Sequence, residues 1–389
     1  MIMWLATTGL FLSGINGVEA ADGDIRVSGF LTTIFTQAKI QDDIDTNYDY
    51  GLAEKDVELD TRDSHLGLQF GSTINPQTKV TAQIISRGGG TNSYNLETDW
   101  AYVDYQALES FRVRVGKYKI PQFIASDYLD VGYAYPWVRP PQDVYSTNPL
   151  ISLNGLDLLY KINFGESKLF FDLFYGDGTH NTFVPPRTFD FMDAGDGTQD
   201  GVVHDPGTGD VVPLSKGQHL TFDTANTRGV GVKYAAPHYT VRAGYFKTEV
   251  TQADFGMDHI PGAFGGVGFT MDYNDIVAYA EFILRNTDPR MASAFPDQDA
   301  WYTTIGYRFG KLLPSFTVSQ IKKGIDSDPN FPVAIEESSR AFNLRYDLDH
   351  STDVKLEILN VTPKDGNHGL FGVPVEKGTI YTLAFDVIF

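Results

Sequence analysis

Apolar residues fall at every second position in run after run of this chain. Leu66, Leu68 and Phe70 share one parity, as do Val230, Val232 and Tyr234, and Phe342, Leu344 and Tyr346. The final run, TIYTLAFDVIF, places Tyr381, Leu383, Phe385, Val387 and Phe389 together, with Thr382, Ala384 and Asp386 between them. A strand sends successive side chains to opposite faces, so a period of two predicts strands with one apolar face. No sustained helical period interrupts the series. The turn residues that separate the runs form two sets. Short connections are expected near Asn75-Pro76, Ala107–Ser110, Gly165–Ser167, Ala235–Pro237, Asn274-Asp275, Gly310–Leu313 and Leu348–Ser351. Long ones are expected over 38–57, 88–96, 119–152, 176–226, 250–266, 286–298, 323–336 and 362–376. Fifteen connections of alternating length imply sixteen antiparallel strands.

One regularity decides what the apolar faces meet. Strands entering the short connections read GLQFGS, VDYQA, LLYKINFG, VKYAAP, MDYND, GYRFG and LRYDLD. Each carries an aromatic residue at the same place on its apolar parity: Phe70, Tyr105, Tyr160, Tyr234, Tyr273, Tyr307 and Tyr346, with Phe389 equivalent on the last strand. Tyrosine has an apolar body and a polar tip, which suits the boundary between hydrocarbon and headgroups. An aromatic girdle at a short-turn rim, with long loops opposite, marks a transmembrane barrel. Hydrocarbon leaves no partner for unpaired N–H and C=O groups, so the sheet must close. The expected fold is all-β: a closed antiparallel transmembrane β-barrel of 16 strands, with short periplasmic turns and long extracellular loops.

The terminal stretch also resembles the C-terminal signature of outer-membrane proteins: a final Phe, alternating apolar residues and an aromatic eight residues back. That resemblance implies recognition of Tyr381–Phe389 by the barrel-assembly machinery. The last strand is expected to close against the first, near Ile25–Thr36.

On the opposite parity the strands carry charges. Arg87, Arg112, Arg114, Lys161, Lys233, Arg242, Arg308 and Arg345 are expected on a lumen wall, with Asp104, Asp157, Asp172, Glu281, Glu357 and Asp386. Sixteen strands enclose too wide a space for side chains to fill, so such charges stay hydrated. The segment RVRVGKYKIPQFIASDYLDVGYAYPWVRPPQDVYSTNPL, Arg112 to Leu150, begins on the fifth strand and becomes the third long loop. Here the chain resembles the Gram-negative general porins. The resemblance implies that loop 119–152 folds inward and narrows the channel, its acidic residues facing a basic wall across a transverse field. The constriction set is then Asp127, Asp130, Arg139 and Asp143 on the loop, with Arg112, Arg114 and Arg87 opposite. Pro121, Pro136, Pro140 and Pro141 would stiffen the fold-back, and Tyr133, Tyr135 and Trp137 would either pack it to the wall or form a stacking track for a sugar-like solute. The run PWVRPP departs from the short acidic motif of enterobacterial relatives. The resemblance further implies a homotrimer in outer-membrane lipid and lipopolysaccharide, passing small hydrophilic solutes and ions by diffusion. Selection of a sugar, dicarboxylate or phosphate-like anion stands as the alternative. An adhesin or receptor barrel is the reading from another class.

Composition narrows the classes. The net charge of -20 argues against a nucleic-acid partner, which needs clustered Lys and Arg. Zero cysteines remove disulfides and thiolate chemistry. A mean hydropathy of -0.20 excludes a bundle of membrane helices. The apolar run Ile2–Leu12 followed by Val18-Glu19-Ala20 predicts a signal peptide over 1–20, leaving 21–389 as the barrel, although no Lys or Arg precedes the run. Asp193, Asp196 and Asp200 in DAGDGTQDG lack the spacing of a twelve-residue calcium loop and read as a solvated loop. GAFGGVGF, 262–269, lacks the strand–loop–helix context of a phosphate cradle and reads as a loop entering a strand. The eight histidines do not cluster, and Ser64/His65 point to opposite faces. No enzyme, cofactor or metal is expected.

Overall fold

The computed structural model describes residues 24–41, 48, 56–88, 94–184, 203–204, 211–212, 218–253, 256–291, 295–324, 335–364, 366–371 and 375–389. The expected signal peptide and the Asp193–Asp200 run lie outside the described residues. Sixteen long strands carry the fold: β1 Ile25–Ile40, β2 His65–Asn75, β3 Thr78–Gly88, β4 Tyr94–Leu108, β5 Phe111–Lys119, β6 Ser152–Phe164, β7 Ser167–Val184 and β8 Gln218–Ala235. The second half comprises β9 Tyr239–Gln252, β10 Met257–Tyr273, β11 Ile276–Thr287, β12 Gln298–Tyr307, β13 Leu312–Lys323, β14 Glu337–Asp347, β15 Thr352–Pro363 and β16 Gly378–Ile388. Each strand pairs antiparallel with its neighbours in sequence. β1 pairs with β2 and also with β16, from Phe30↔Ile388 to Ile40↔Gly378, so the sheet is a closed barrel. Gly29 and Phe389 exchange main-chain hydrogen bonds of 2.7 and 2.9 Å, which ties the last residue into the seam.

All seven short connections lie where the turn residues predict them. In the turn between β10 and β11, Asn274 and Asp275 both take positive φ (48° and 68°), the conformation a two-residue hairpin requires and one that Asn and Asp tolerate. One long connection is an exception. β9 runs to Gln252 and β10 starts at Met257, so the expected loop 250–266 shrinks to the residues 253–256. GAFGGVGF therefore lies inside β10 and not in a loop entering it. Low β-propensity hid this strand, because its glycines serve a neighbour and not the sheet.

The two faces are inverted relative to a soluble domain. Val103, Tyr105, Val115, Leu156, Tyr160, Leu173 and Tyr175 point outward and are exposed. Asp104, Asp157, Asp172, Arg242, Glu281 and Lys355 point inward and are buried. Of the girdle aromatics, Tyr105, Tyr160, Tyr273, Tyr307, Tyr346 and Phe389 are exposed, while Phe70 and Tyr234 are half-buried. An apolar outer band bounded by aromatic rings is the surface a bilayer requires. On β16, Tyr381, Phe385 and Phe389 are exposed outward, and Ile380, Thr382, Ala384 and Asp386 are buried inward.

Candidate functional site in the barrel interior

The segment 120–151 leaves β5, crosses the interior and returns to β6. Its neck is closed by the Ile120 N–H bond to Ile151 O, 2.9 Å. From there the loop meets wall after wall. Arg242 on β9 donates from Nη1 to Phe123 O at 3.3 Å. The Ile124 N–H donates to Glu281 Oε1 on β11 at 2.6 Å, and the Tyr145 and Tyr302 hydroxyls donate to Glu281 Oε2 at 2.7 and 2.8 Å. Trp137 Nε1 donates to Thr304 and Thr317 on β12 and β13, at 2.9 and 3.2 Å. Val138 N–H reaches Asn343 Oδ1 at 3.2 Å, Arg345 Nη1 reaches Tyr133 O at 2.6 Å, and Lys355 Nζ reaches Gly132 O at 2.5 Å. Arg139 pairs with Asp63 at 2.6 Å beside β2.

These contacts fill much of the interior. Phe123, Tyr135, Trp137 and Val144 from the loop pack with Phe264, Ile283 and Tyr302 from β10–β12 in one buried cluster, which extends to Trp100, Tyr102, Tyr118, Phe174 and Phe246 from β4–β9. One glycine of β10 makes room for it: a Cβ on Gly268 would sit 2.5 Å from Ile124 Cγ1 and 2.6 Å from its Cδ1. Gly132 is pressed as closely on Asp386 and Thr32 of the seam strands.

Toward the wall of β4–β9 the loop presents Asp127. This carboxylate is exposed, although the cations of Lys233, Arg242, Arg114 and Lys119 surround it. Partial burial would raise its pKa; those cations outweigh that effect and hold it below the ordinary carboxylate range. On the wall, Arg112 pairs with Asp104, donating from Nε to Oδ1 at 3.0 Å. Arg114 lies 3.4 Å from Asp104 and 3.5 Å from Asp157, with its guanidinium 5.2 Å from the Tyr102 ring.

The structure separates the residues expected at one constriction. Asp127 alone of the loop acids faces the open side. Asp130 is buried in a clamp with Lys119 Nζ at 2.6 Å and Arg87 Nη2 at 3.1 Å. Burial opposes its charge, and those two cations more than offset it, so its pKa lies well below the ordinary value. Asp143 is not opposite Arg112 and Arg114. It accepts a hydrogen bond from Ser319 on β13, and burial pushes its carboxyl up to about 6 against the hydrogen bonds of Ser319 and Ser339. Lys161 and Lys233 are half-buried on the β6–β9 wall, and Arg242 is buried there beneath the loop. Arg345 holds the loop and pairs with Asp347 and Asp353 at 2.7 and 3.1 Å. Arg308 pairs with Asp272 at the short-turn rim, 3.0 Å. Both ring nitrogens of His65 lie against main-chain carbonyls, of Asp63 at 2.7 Å and of Asp130 at 2.6 Å. Lys119 and Asp99 (2.9 Å apart) were not among the expected site residues. Lys119 lies where strand alternation gives way to the loop neck, and Asp99 is the extra residue of a bulge in β4 between Thr98 and Trp100, so parity could not assign them.

No protein-family model matches this chain, and no curated protein matches it in sequence. Its fold does match solved structures. The outer membrane channel DcaP of Acinetobacter baumannii superposes with a TM-score of 0.56 at 14% identity, covering 94% of this chain and 97% of that one. An anion-selective porin from Comamonas acidovorans gives 0.57 at 12% identity, covering 94% and 99%. Salmonella typhi OmpF gives 0.55 at 12% identity, covering 93% and 97%. The fold of this chain is that of the Gram-negative outer-membrane porins.

Proposed function

We propose that this chain is a porin of the Gram-negative outer membrane, a water-filled channel through which small hydrophilic solutes and ions diffuse passively. The observation that carries this reading is Asp127: a loop carboxylate that water reaches inside a barrel, with wall cations around it. A side chain filling a core would be excluded from water, and one on a surface loop would not meet Arg114, Lys233 and Arg242. Loop 120–151 acts as the constriction. Asp127, Arg114, Lys233 and Arg242 line the opening, whereas Arg87, Asp130, Arg139 and Asp143 anchor the loop. Opposed charges across a narrow passage impose a transverse field on each passing solute. The role is passage and not catalysis, in keeping with a described histidine, His65, whose two nitrogens are both engaged by the main chain. An N-terminal export signal over 1–20, a homotrimer, contact with lipopolysaccharide, and delivery through recognition of Tyr381–Phe389 complete the reading.

Planar-bilayer recording of the purified chain tests it. Stepwise insertions with ohmic current in KCl are expected. A folded, inserted barrel that passes no current would remove the channel reading and leave adhesion.

A further inference from the structure

We propose that Lys161, Lys233 and Arg242 form an oxyanion-binding row on the free side of the passage, selecting small solutes that carry carboxylate or phosphate. The inference rests on the channel reading above and deepens it by naming a solute class.

The three residues belong to one hydrogen-bonded row of the wall. Lys161 on β6 is in register with Phe170 on β7, Phe170 with Lys233 on β8, and Lys233 with Arg242 on β9. The row continues through Gly268 and Glu281 to Tyr302 and Ser319, where the loop is fastened. Thus a single ring of the barrel is cationic over β6–β9, where only Arg242 touches the loop, and hydroxylic or acidic where the loop is fastened over β11–β13. Strand spacing puts the backbones of Lys233 and Arg242 roughly 5 Å apart, and those of Lys161 and Lys233 about 10 Å apart.

Five basic residues face this side, and they differ in one respect. Arg112 and Arg114 are neutralised by Asp104 and Asp157. Among the described residues, Lys161, Lys233 and Arg242 make no ion pair. The carboxylates that face Lys233 are Asp127 and Asp172, and both act on it from beyond ion-pair contact. Like charges directly opposite on neighbouring strands destabilise a sheet unless a counter-charge joins them. The Lys233 ammonium sits over the Phe170 ring, 4.9 Å from its centre, which holds it in place without cancelling its charge. Arg242 supplies an independent sign. The residue is only 7% exposed, its Nη1 is used by Phe123 O, and its Nε–H has no partner. A buried guanidinium donor without an acceptor is costly, and an oxyanion is the acceptor its geometry suits.

The test uses the full-length barrel in planar bilayers, comparing wild type with Lys161→Gln plus Lys233→Gln. Neither lysine anchors the loop, so Arg242 and its contact with Phe123 are left intact. Two charges each acting at roughly 8 Å through a water-like dielectric, screened by about 0.1 M salt and acting oppositely on anion and cation, change the anion-to-cation permeability ratio about fivefold, and a fall of that size is expected from reversal potentials in a KCl gradient. Arg112→Gln plus Asp104→Asn, removing two paired charges that already cancel, is expected to move the ratio far less. Inorganic phosphate and succinate serve as blocking probes. Block by either that weakens in the double variant supports the row, and the stronger blocker identifies the class. An unchanged ratio in the double variant, or wild-type current indifferent to both probes, overturns the inference while leaving the channel standing. Absence of any wild-type current instead overturns the channel reading.

Discussion

Asp127 and Asp143 lie sixteen residues apart on one loop and meet opposite environments. Asp127 faces water and cations. Its charge offsets part of the wall's, so Asp127→Asn is expected to raise the anion-to-cation ratio about twofold, as one charge at roughly 8 Å in a water-like dielectric screened by about 0.1 M salt requires. Reversal potentials check this. Because its pKa is depressed, the carboxylate stays ionised as pH falls through the mildly acidic range, and its part in selectivity should not change between neutral pH and pH 5. Asp143 shows the reverse sign. Its folded pKa of about 6 exceeds the unfolded carboxylate value, so the folded state disfavours its charge. That cost is fully present above about 6 and fades as pH falls toward the unfolded pKa. Asp143→Asn is therefore expected to raise the thermal midpoint at pH 8 and to leave it nearly unchanged at pH 4. A stabilisation equal at both pH values would contradict this account.

At the scale of elements, the loop is held by its aromatics and by main-chain donors and acceptors that the wall completes. Trp137 carries much of this, with an indole N–H shared by Thr304 and Thr317 and ring contacts to Tyr279 and Tyr302 at 4.7 and 5.6 Å. Trp137→Ala should cost about 3–5 kcal/mol of loop attachment, the range for large aromatic truncations in packed sites. The expected readout is noisy, fluctuating single-channel current with the barrel still folded. Gly268→Val tests the same contact from the wall side. Its Cβ would displace Ile124 and the Glu281 bond beside it, so single-channel conductance should change while girdle and seam stay intact. The Pro and aromatic content of 121–141 marked this loop in the sequence. Its landing sites were not marked, because Thr304, Thr317 and Ser319 are ordinary strand hydroxyls until the barrel curves them toward the loop.

For the whole molecule, the apolar outer band makes detergent or lipid a condition of solubility. A barrel closed by a full ring of hydrogen bonds should migrate in gels as a compact species until heated. Phe389 belongs to this scale: its ring is 49% exposed, and its main chain is bonded to Gly29 across the seam. Deleting Phe389 removes a girdle ring and both seam bonds. Less assembled barrel in outer-membrane fractions is expected, with unassembled chain accumulating; an unchanged yield would show that the seam closes without it.

Alternation by itself determined that the chain is a sixteen-stranded barrel, which parity faces outward, where the short turns lie and which charges face inward. Each of these follows from a local rule, the two-residue period of a strand and the conformations of its turns, so each is written residue by residue. Tertiary structure alone decided which inward charges cancel. Arg112 and Arg114 look like the strongest cationic pair in the sequence, yet Asp104 and Asp157 quench them. Lys161, Lys233 and Arg242 are far apart along the chain, and only strand register sets them side by side. Likewise GAFGGVGF reads as a loop in sequence, whereas Gly268 of β10 leaves the space that the Ile124 side chain of the crossing loop takes. Pairing of charges and accommodation of a crossing loop depend on distances between strands, and no one strand's sequence contains them.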